Sequence, residues 1–225
     1  MRLSHLSVAL ALAITASGVA QAQQFSKVVS FGDSLTDSGN VGTLSGLPAG
    51  SAFTTNPDPV HSELVASYFG LTQTNNSPLI PGTSTGTNFA YAGACAISNG
   101  ATIAAPIPGL PTFTCSNSPG NFSLATQFST HLAANGGVAD PNALYTYWAG
   151  ANDILSATAV TAPGGFLPNG SILYQYIFVN GGNPANASAI AQTIAGQSAQ
   201  TAIGQIKALQ TAGAKTIVVF NLPDL

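Results

Sequence analysis

Gly32-Asp33-Ser34-Leu35 directly follows the apolar run Lys27-Val28-Val29-Ser30-Phe31. A β-prone run that breaks at glycine and then presents a serine is how an α/β protein sets a nucleophile at the carboxyl end of a strand. A serine hydroxyl attacks an ester only with a base to take its proton, a group to orient that base and donors for the oxyanion. Two later turns carry donors in comparable positions. Gly93, in Asn88-Phe89-Ala90-Tyr91-Ala92-Gly93-Ala94, offers an unhindered backbone N–H. Asn152, in Gly150-Ala151-Asn152-Asp153, offers a side-chain amide. Both follow apolar runs, so both fall with Ser34 along one edge of a shared sheet. Ser34 alone would read as a helix-capping serine after a strand; the set of three turns favours the nucleophile.

A base is harder to find among His5, His61 and His131. Asp58-Pro59-Val60-His61 fits Asp-x-x-His as text, but it reads as the opening of a helix. Asp58 is expected as N-cap, Pro59 at the first helical position and His61 in the first turn. His131 is expected as a partly exposed residue of a helix capped by Ser123, and His5 falls in a leader. Asp33, Asp37 and Asp153 are read as turn-fixing residues that bind local backbone, rather than as a carboxylate pair for sugar chemistry. The chain has no phosphate-binding Gly-x-x-x-x-Gly-Lys and no His-Glu-x-x-His.

The elements that must position these residues alternate strand and helix, the pattern of a parallel sheet covered on both faces. Lys27 to Phe31 is the first strand. The helix after Asp58 carries Val60, Leu64, Val65 and Tyr68 at helical spacing and ends at Gly70. Ser123 caps a helix with Leu124, Phe128 and Leu132, stopped by Gly136-Gly137. Leu144 to Ala149 is an aromatic-rich strand. From about Ala187 a long helix aligns Ile190, Ile194, Ile203, Ile206 and Leu209, with Gly213 as its stop, and Thr216 to Phe220 is a buried strand. Long Gly, Pro, Ser and Asn segments separate these elements, roughly 41–56, 72–87, 96–121 and 158–186, and loops of that length are usually functional or mobile.

The 225-residue length suits one domain preceded by a leader. Residues 1–22 read as a signal peptide: a basic start, an apolar stretch from Leu6 to Val19, and the small-x-small site Ala20-Gln21-Ala22. The apolar stretch is shorter than the 20 or so residues a membrane helix needs. Only 5% of residues are charged and the net charge is −3, against about 25% charged in typical soluble domains. No basic patch exists for phosphate backbones, which argues against a nucleic-acid partner. A mean hydropathy of +0.31 is too apolar for a disordered chain. Cys95 and Cys115 lie in the exported part and are expected to pair as a disulfide, worth roughly 3 kcal/mol by loop entropy.

Taken together these residues resemble the GDSL, or SGNH, family of serine esterases and lipases. Gly32-Asp33-Ser34-Leu35 matches the family's first block, Gly93 its glycine block and Gly150-Ala151-Asn152-Asp153 its Gly-x-Asn-Asp block. The order of the blocks in their strand contexts makes the match more specific than any one motif. The resemblance implies an α/β three-layer sandwich with a parallel, flavodoxin-like sheet, spanning residues 23–225. It implies Ser34 as nucleophile, with its own N–H, the Gly93 N–H and the Asn152 side chain as the oxyanion hole. It implies no metal or organic cofactor and an ester substrate, a lipid or a small molecule. The pattern, with Asn221-Leu222-Pro223-Asp224-Leu225, looks closest to secreted bacterial members and to autotransporter passengers. Secretion or display at the cell surface is therefore expected, with any outer-membrane attachment through a domain beyond this chain.

Two departures stand out. Many relatives carry two glycines where this chain has Ala92-Gly93. The family's Asp-x-x-His block is not found in its usual place, so the chain is expected to be the N-terminal part of the catalytic domain and to lack its base. The reading from a different class is a secreted binding or adhesion module that keeps the fold without the activity.

Overall fold

The computed structural model describes residues 25–44, 46–48, 50–55, 57–77, 85–97, 123–158 and 187–222. Residues 1–22, read as a signal peptide from sequence, and Cys115 lie outside them. Three parallel strands, β1 (Val28–Gly32), β2 (Leu144–Trp148) and β3 (Thr216–Val219), lie in the order β1-β2-β3. Val28 stands opposite Leu144, and Leu144 opposite Thr216. Along the other edge of β1, residues 87–91 run extended and parallel. Ser30 N–H donates to the Thr87 carbonyl at 2.9 Å, Phe89 N–H to Ser30 at 2.8 Å and Tyr91 N–H to Gly32 at 3.1 Å. With this segment included, the spatial order is that of a flavodoxin-like sheet, whose ligand crevice opens at the carboxyl ends beside the first strand. Short helix α1 (Asn40–Leu44) follows β1; α2 (His61–Tyr68), α3 (Leu124–Ala134), α4 (Ala151–Thr158) and α5 (Ala187–Thr211) complete the described elements.

Alternation along the strands sends side chains to opposite faces, and the two faces differ in chemistry. Val29, Phe31, Tyr145 and Tyr147 point into the main core with Leu124 and Phe128 of α3 and Leu209 of α5. Phe31 stacks on Phe128 with centroids 4.2 Å apart, and a buried aromatic of this size contributes about 1.5–3 kcal/mol through removal from water. On the other face Val28 and Leu144 pack with Phe25 and Ala66 beside α2. Next to them the lining is polar: Thr146 Oγ1 donates to Ser30 Oγ at 2.7 Å, and Gln73 Nε2 donates to the same oxygen at 2.8 Å. Helix, sheet and helices form the three layers that the element order implied.

The helix ends and apolar stripes depart from the sequence reading in instructive ways. α2 begins at His61 with Val60 as N-cap, not at Asp58. Residues before proline avoid the helical region; Asp58 N–H instead donates to Thr55 in a turn, at 2.7 Å. The Val60 N–H is satisfied by the Glu63 carboxylate at 2.9 Å. Leu64 and Tyr68 are 56% and 84% exposed, and the buried side chains of α2 are Ser62 and Ala66. On α5, Ile194 and Leu209 are buried as expected but Ile203 is 52% exposed; the Ile190 side chain lies outside the described residues. β3 is only half-buried, with Val218 and Val219 exposed, because it pairs with β2 alone among the described strands. α1 falls where the sequence suggested the loop 41–56, since it is only five residues long, and α4 occupies a stretch to which the sequence assigned no element.

His131 is a further correction. It is 2% exposed, its ring meeting Phe31, Phe89 and Tyr145 edge-on at centroid distances of 5.5, 5.2 and 5.7 Å. Burial, with a smaller effect from the Lys27 charge, pushes its pKa down to about 4. An unfolded histidine binds its proton near pH 6.5, so this group's contribution to stability is complete above pH 6.5 and is lost as pH falls toward 4. Urea unfolding at pH 7 and pH 4.5 should show the wild type losing about 2 kcal/mol more than His131→Phe; equal losses would contradict this origin of acid sensitivity.

Candidate active site

The Ser34 turn grows out of β1 at Gly32, where the backbone has no room for a side chain. A Cβ there would lie 2.7 Å from the Trp148 carbonyl oxygen, closer than real contacts allow. Both polar backbone groups of Gly32 are taken by one side chain: Gly32 N–H donates to Gln127 Oε1 at 2.9 Å, and Gln127 Nε2 donates to the Gly32 carbonyl at 2.8 Å. Gln127 thus anchors the end of β1 to α3, a role that sequence inspection missed because a glutamine on a helix carries no motif. Asp33 N–H then donates to the Trp148 carbonyl at 3.3 Å, and the Asp33 carbonyl accepts from the Thr36 and Asp37 N–H groups, each at 3.0 Å. Asp33, Thr36 and Asp37 are buried while Ser34 between them is partly exposed.

Gly93 sits in the turn after residues 87–91, closed by Ala94 N–H donating to the Tyr91 carbonyl at 3.0 Å. Its φ is 80°, a conformation that favours glycine and is costly for other residues. Alanine at 92 leaves that turn intact. Asn152 lies in the first turn of α4, and its Nδ2 donates to the Ala94 carbonyl at 2.9 Å. That nitrogen carries two hydrogens, so one N–H remains for another acceptor. Gly93 and Asn152, each between buried neighbours, are partly exposed, as Ser34 is.

Two buried carboxylates join these turns. Asp37 Oδ1 accepts from Gly39 and Asn40 N–H at 2.9 and 2.6 Å, and Oδ2 from Val41 and Ala92 N–H at 3.1 and 2.9 Å. It therefore caps α1 and reaches across to the residue before Gly93. Asp153 Oδ2 and Oδ1 accept from Ala96 and Ile97 N–H at 2.9 and 3.0 Å. The segment around Gly93 is held from the Ser34 side at Ala92, and from the Asn152 side at Ala94, Ala96 and Ile97. Asn88 and Asn40 complete the grip: Asn88 Nδ2 donates to the Thr36 carbonyl at 2.8 Å, and Asn40 Nδ2 to the Ala90 carbonyl at 2.9 Å. The expectation that Asp33, Asp37 and Asp153 fix turns by side-chain hydrogen bonds is what their contacts describe, since Asp33 Oδ1 likewise accepts from Leu35 N–H at 3.1 Å.

The histidines are elsewhere occupied. His131 is enclosed by the aromatic core, as described above. His61 Nδ1 is 2.9 Å from the Leu35 carbonyl, and burial lowers its pKa. Among the described residues, no group of acidic, histidine or cysteine side chains could hold a metal ion, and no helix is long and apolar enough to cross a membrane. Cys95 is buried.

Asp33 differs from the other two aspartates because its Oδ2 is buried without a partner. Burial, with the nearby Asp153 charge adding, pushes its pKa up to about 6. An acid with a raised folded pKa contributes stability that is present below about pH 4 and is lost as pH rises through 6. Asp33→Asn should therefore become more stable relative to the wild type by about 2–3 kcal/mol between pH 4 and pH 7, measured by urea unfolding. An unchanged difference between the two pH values would show that Asp33 ionises normally.

Comparison with known proteins bears on this arrangement. The chain is 26% identical over 216 residues to Lipase 1 of Photorhabdus luminescens, a match that takes in 95% of this chain and 25% of that protein. The chain thus spans about a quarter of the length of this curated relative. The family described as GDSL-like Lipase/Acylhydrolase matches residues 28–225, from the first residue of β1 onward. With nearly the whole described fold inside that match, the chain belongs to the GDSL-like lipase/acylhydrolase family.

Proposed function

We propose that this protein is an exported carboxylic-ester hydrolase in which Ser34 is the nucleophile and Gly93 and Asn152 supply oxyanion donors. Ser34 Oγ attacks the ester carbonyl carbon while its proton passes to a histidine base. The oxyanion that forms is stabilised by the N–H groups of Ser34 and Gly93 and by the second N–H of Asn152 Nδ2. Collapse expels the alcohol, which takes the proton from the base, and leaves an acyl group on Ser34. Water then attacks the acyl-enzyme with the same base, releasing the acid and restoring the hydroxyl. Neither His61 nor His131 is disposed to serve as the base, which we assign to an Asp-x-x-His segment beyond residue 225. Fatty-acyl or other simple esters are the proposed substrates. Residues 1–22 act as the signal peptide, and Cys95 pairs with Cys115 after export.

The observation that carries this reading is the bonding of the glycine turn to its two neighbours. Its backbone is tied to the Ser34 turn through Asp37 and to the start of α4 through Asn152 and Asp153. A partly exposed serine and partly exposed donor groups, on turns tied to one another, are what acyl transfer needs at a strand edge. A binding module would have no use for strand-end turns tied to one another in this way.

The test is hydrolysis of a short-chain chromogenic ester by the 225-residue chain and by a form extended through any downstream coding sequence. The extended form should be the active one. Within it Ser34→Ala should lower kcat by at least about a thousandfold, and Asn152→Ala by about 10²–10³. Full activity in Ser34→Ala would overturn the assignment of the nucleophile, and inactivity of every form would favour the binding module.

A further inference from the structure

We propose that His61 is a positioning residue for the nucleophile turn: its Nδ1–H donates to the Leu35 carbonyl and its ring is braced by Trp148 and Phe220. The inference rests on the reading of Ser34 as nucleophile. The distance from Nδ1 to the Leu35 oxygen is 2.9 Å. A carbonyl oxygen only accepts, so Nδ1 must carry the hydrogen, and the tautomer follows from the geometry. In the neutral ring Nε2 is then bare, and it is buried without a hydrogen-bond partner. That nitrogen is out of play as a proton acceptor for Ser34, whereas Nδ1 is committed to the residue beside it.

The ring itself is held by its surroundings. It stands edge-on to Trp148 and to Phe220, both with centroids 4.7 Å away, and those two rings stack on each other at 5.3 Å. Trp148 is the last residue of β2, and Phe220 follows β3. His61 therefore links the first turn of α2, the carboxyl ends of two strands and the turn that presents Ser34. The Leu35 peptide unit is gripped at both ends of the residue: its N–H by Asp33 Oδ1 at 3.1 Å and its carbonyl by His61. The next carbonyl, Thr36, accepts from Asn88 at 2.8 Å and from Ser62 at 3.4 Å, so two consecutive residues of α2 bond to two consecutive carbonyls of the turn. Small displacements of a nucleophile from its attack geometry cost rate far more than they cost stability. A donor on Leu35 acts on that geometry without touching substrate.

The experiment has two arms. In the first, nitrogen-15 NMR of the unmutated 225-residue chain at pH 7.5 identifies the His61 tautomer. Protonated Nδ1 with bare Nε2 is expected, the reverse of the form that free histidine prefers; protonated Nε2 would overturn the proposal. This arm depends neither on activity nor on any variant folding. In the second, whichever form of the protein hydrolyses the chromogenic ester is compared with His61→Phe, which keeps a ring without a donor, and His61→Asn, which returns a donor near Nδ1. His61→Phe should lower kcat about tenfold with KM within about twofold, and His61→Asn should recover most of the loss. A kcat for His61→Phe equal to wild type, or no recovery in a folded His61→Asn, would reduce His61 to a packing residue. Activity that survives Ser34→Ala would overturn the nucleophile assignment instead, and the tautomer result would still decide the hydrogen bond to Leu35.

Discussion

Asp37 and Asp153 each bind backbone N–H groups from inside the protein, and the placement of the three strand-end turns depends on them. Parallel strands fix where chains leave a sheet, but the loops beyond are free unless something ties one to another. Here the ties are hydrogen bonds that backbone N–H groups donate to buried carboxyl oxygens. Asp37 fills its oxygens with four donors, three from α1 and its approach and one from Ala92. Burial pushes its pKa up, and the four donors pull it back. Asp153 does the same for Ala96 and Ile97. Because the partners are backbone groups rather than surface cations, salt has little hold on these contacts.

The same logic runs through the rest of the edge. Gln127 closes the end of β1 with two hydrogen bonds to Gly32, and Asn40 and Asn88 bind carbonyls that no strand partner reaches. The sheet face beneath α2 carries Ser30 and Thr146, bonded to each other and to Gln73, where an ordinary α/β core would carry aliphatic side chains. A chain in which only 5% of residues are charged thus builds its interior order from amides, hydroxyls and a few buried acids. A buried polar network of this kind is costly when one member is lost and rigid when all are present. Rigid placement of donors is what stabilisation of an oxyanion requires.

Much of this was legible in the residues, and what was not has physical reasons. The strand that precedes Ser34, the segment before Gly93 and the strand before Asn152 could be read from apolar runs ending at turns, because buried parallel strands need no alternation to be recognised. Their sharing of one edge followed from the parallel topology. The carboxylates could be assigned to turns, but that Asp37 reaches Ala92 is a contact across 55 residues, and spacing cannot disclose it. The start of α2 was misplaced because a cap-like Asp58-Pro59 outweighed the preference of Val60 and Glu63 for a later start. His131 looked like a surface residue because helical position alone does not reveal aromatic neighbours supplied by other elements. The Ile203 and β3 errors share a cause: an apolar residue reads as buried unless the layer that leaves it uncovered is known.

Two carboxylates, each from one side, hold the glycine turn in place, and amide hydrogen exchange reads both ties separately. Exchange of the Ala92, Ala96 and Ile97 amides would be compared in the wild type, Asp37→Asn and Asp153→Asn. Independent ties predict that Asp37→Asn exposes Ala92 by tenfold or more, about 1.4 kcal/mol of lost protection, while Ala96 and Ile97 stay protected, and that Asp153→Asn does the reverse. Unchanged protection at these three amides in both variants would contradict the account and place the organising constraint in the sheet itself.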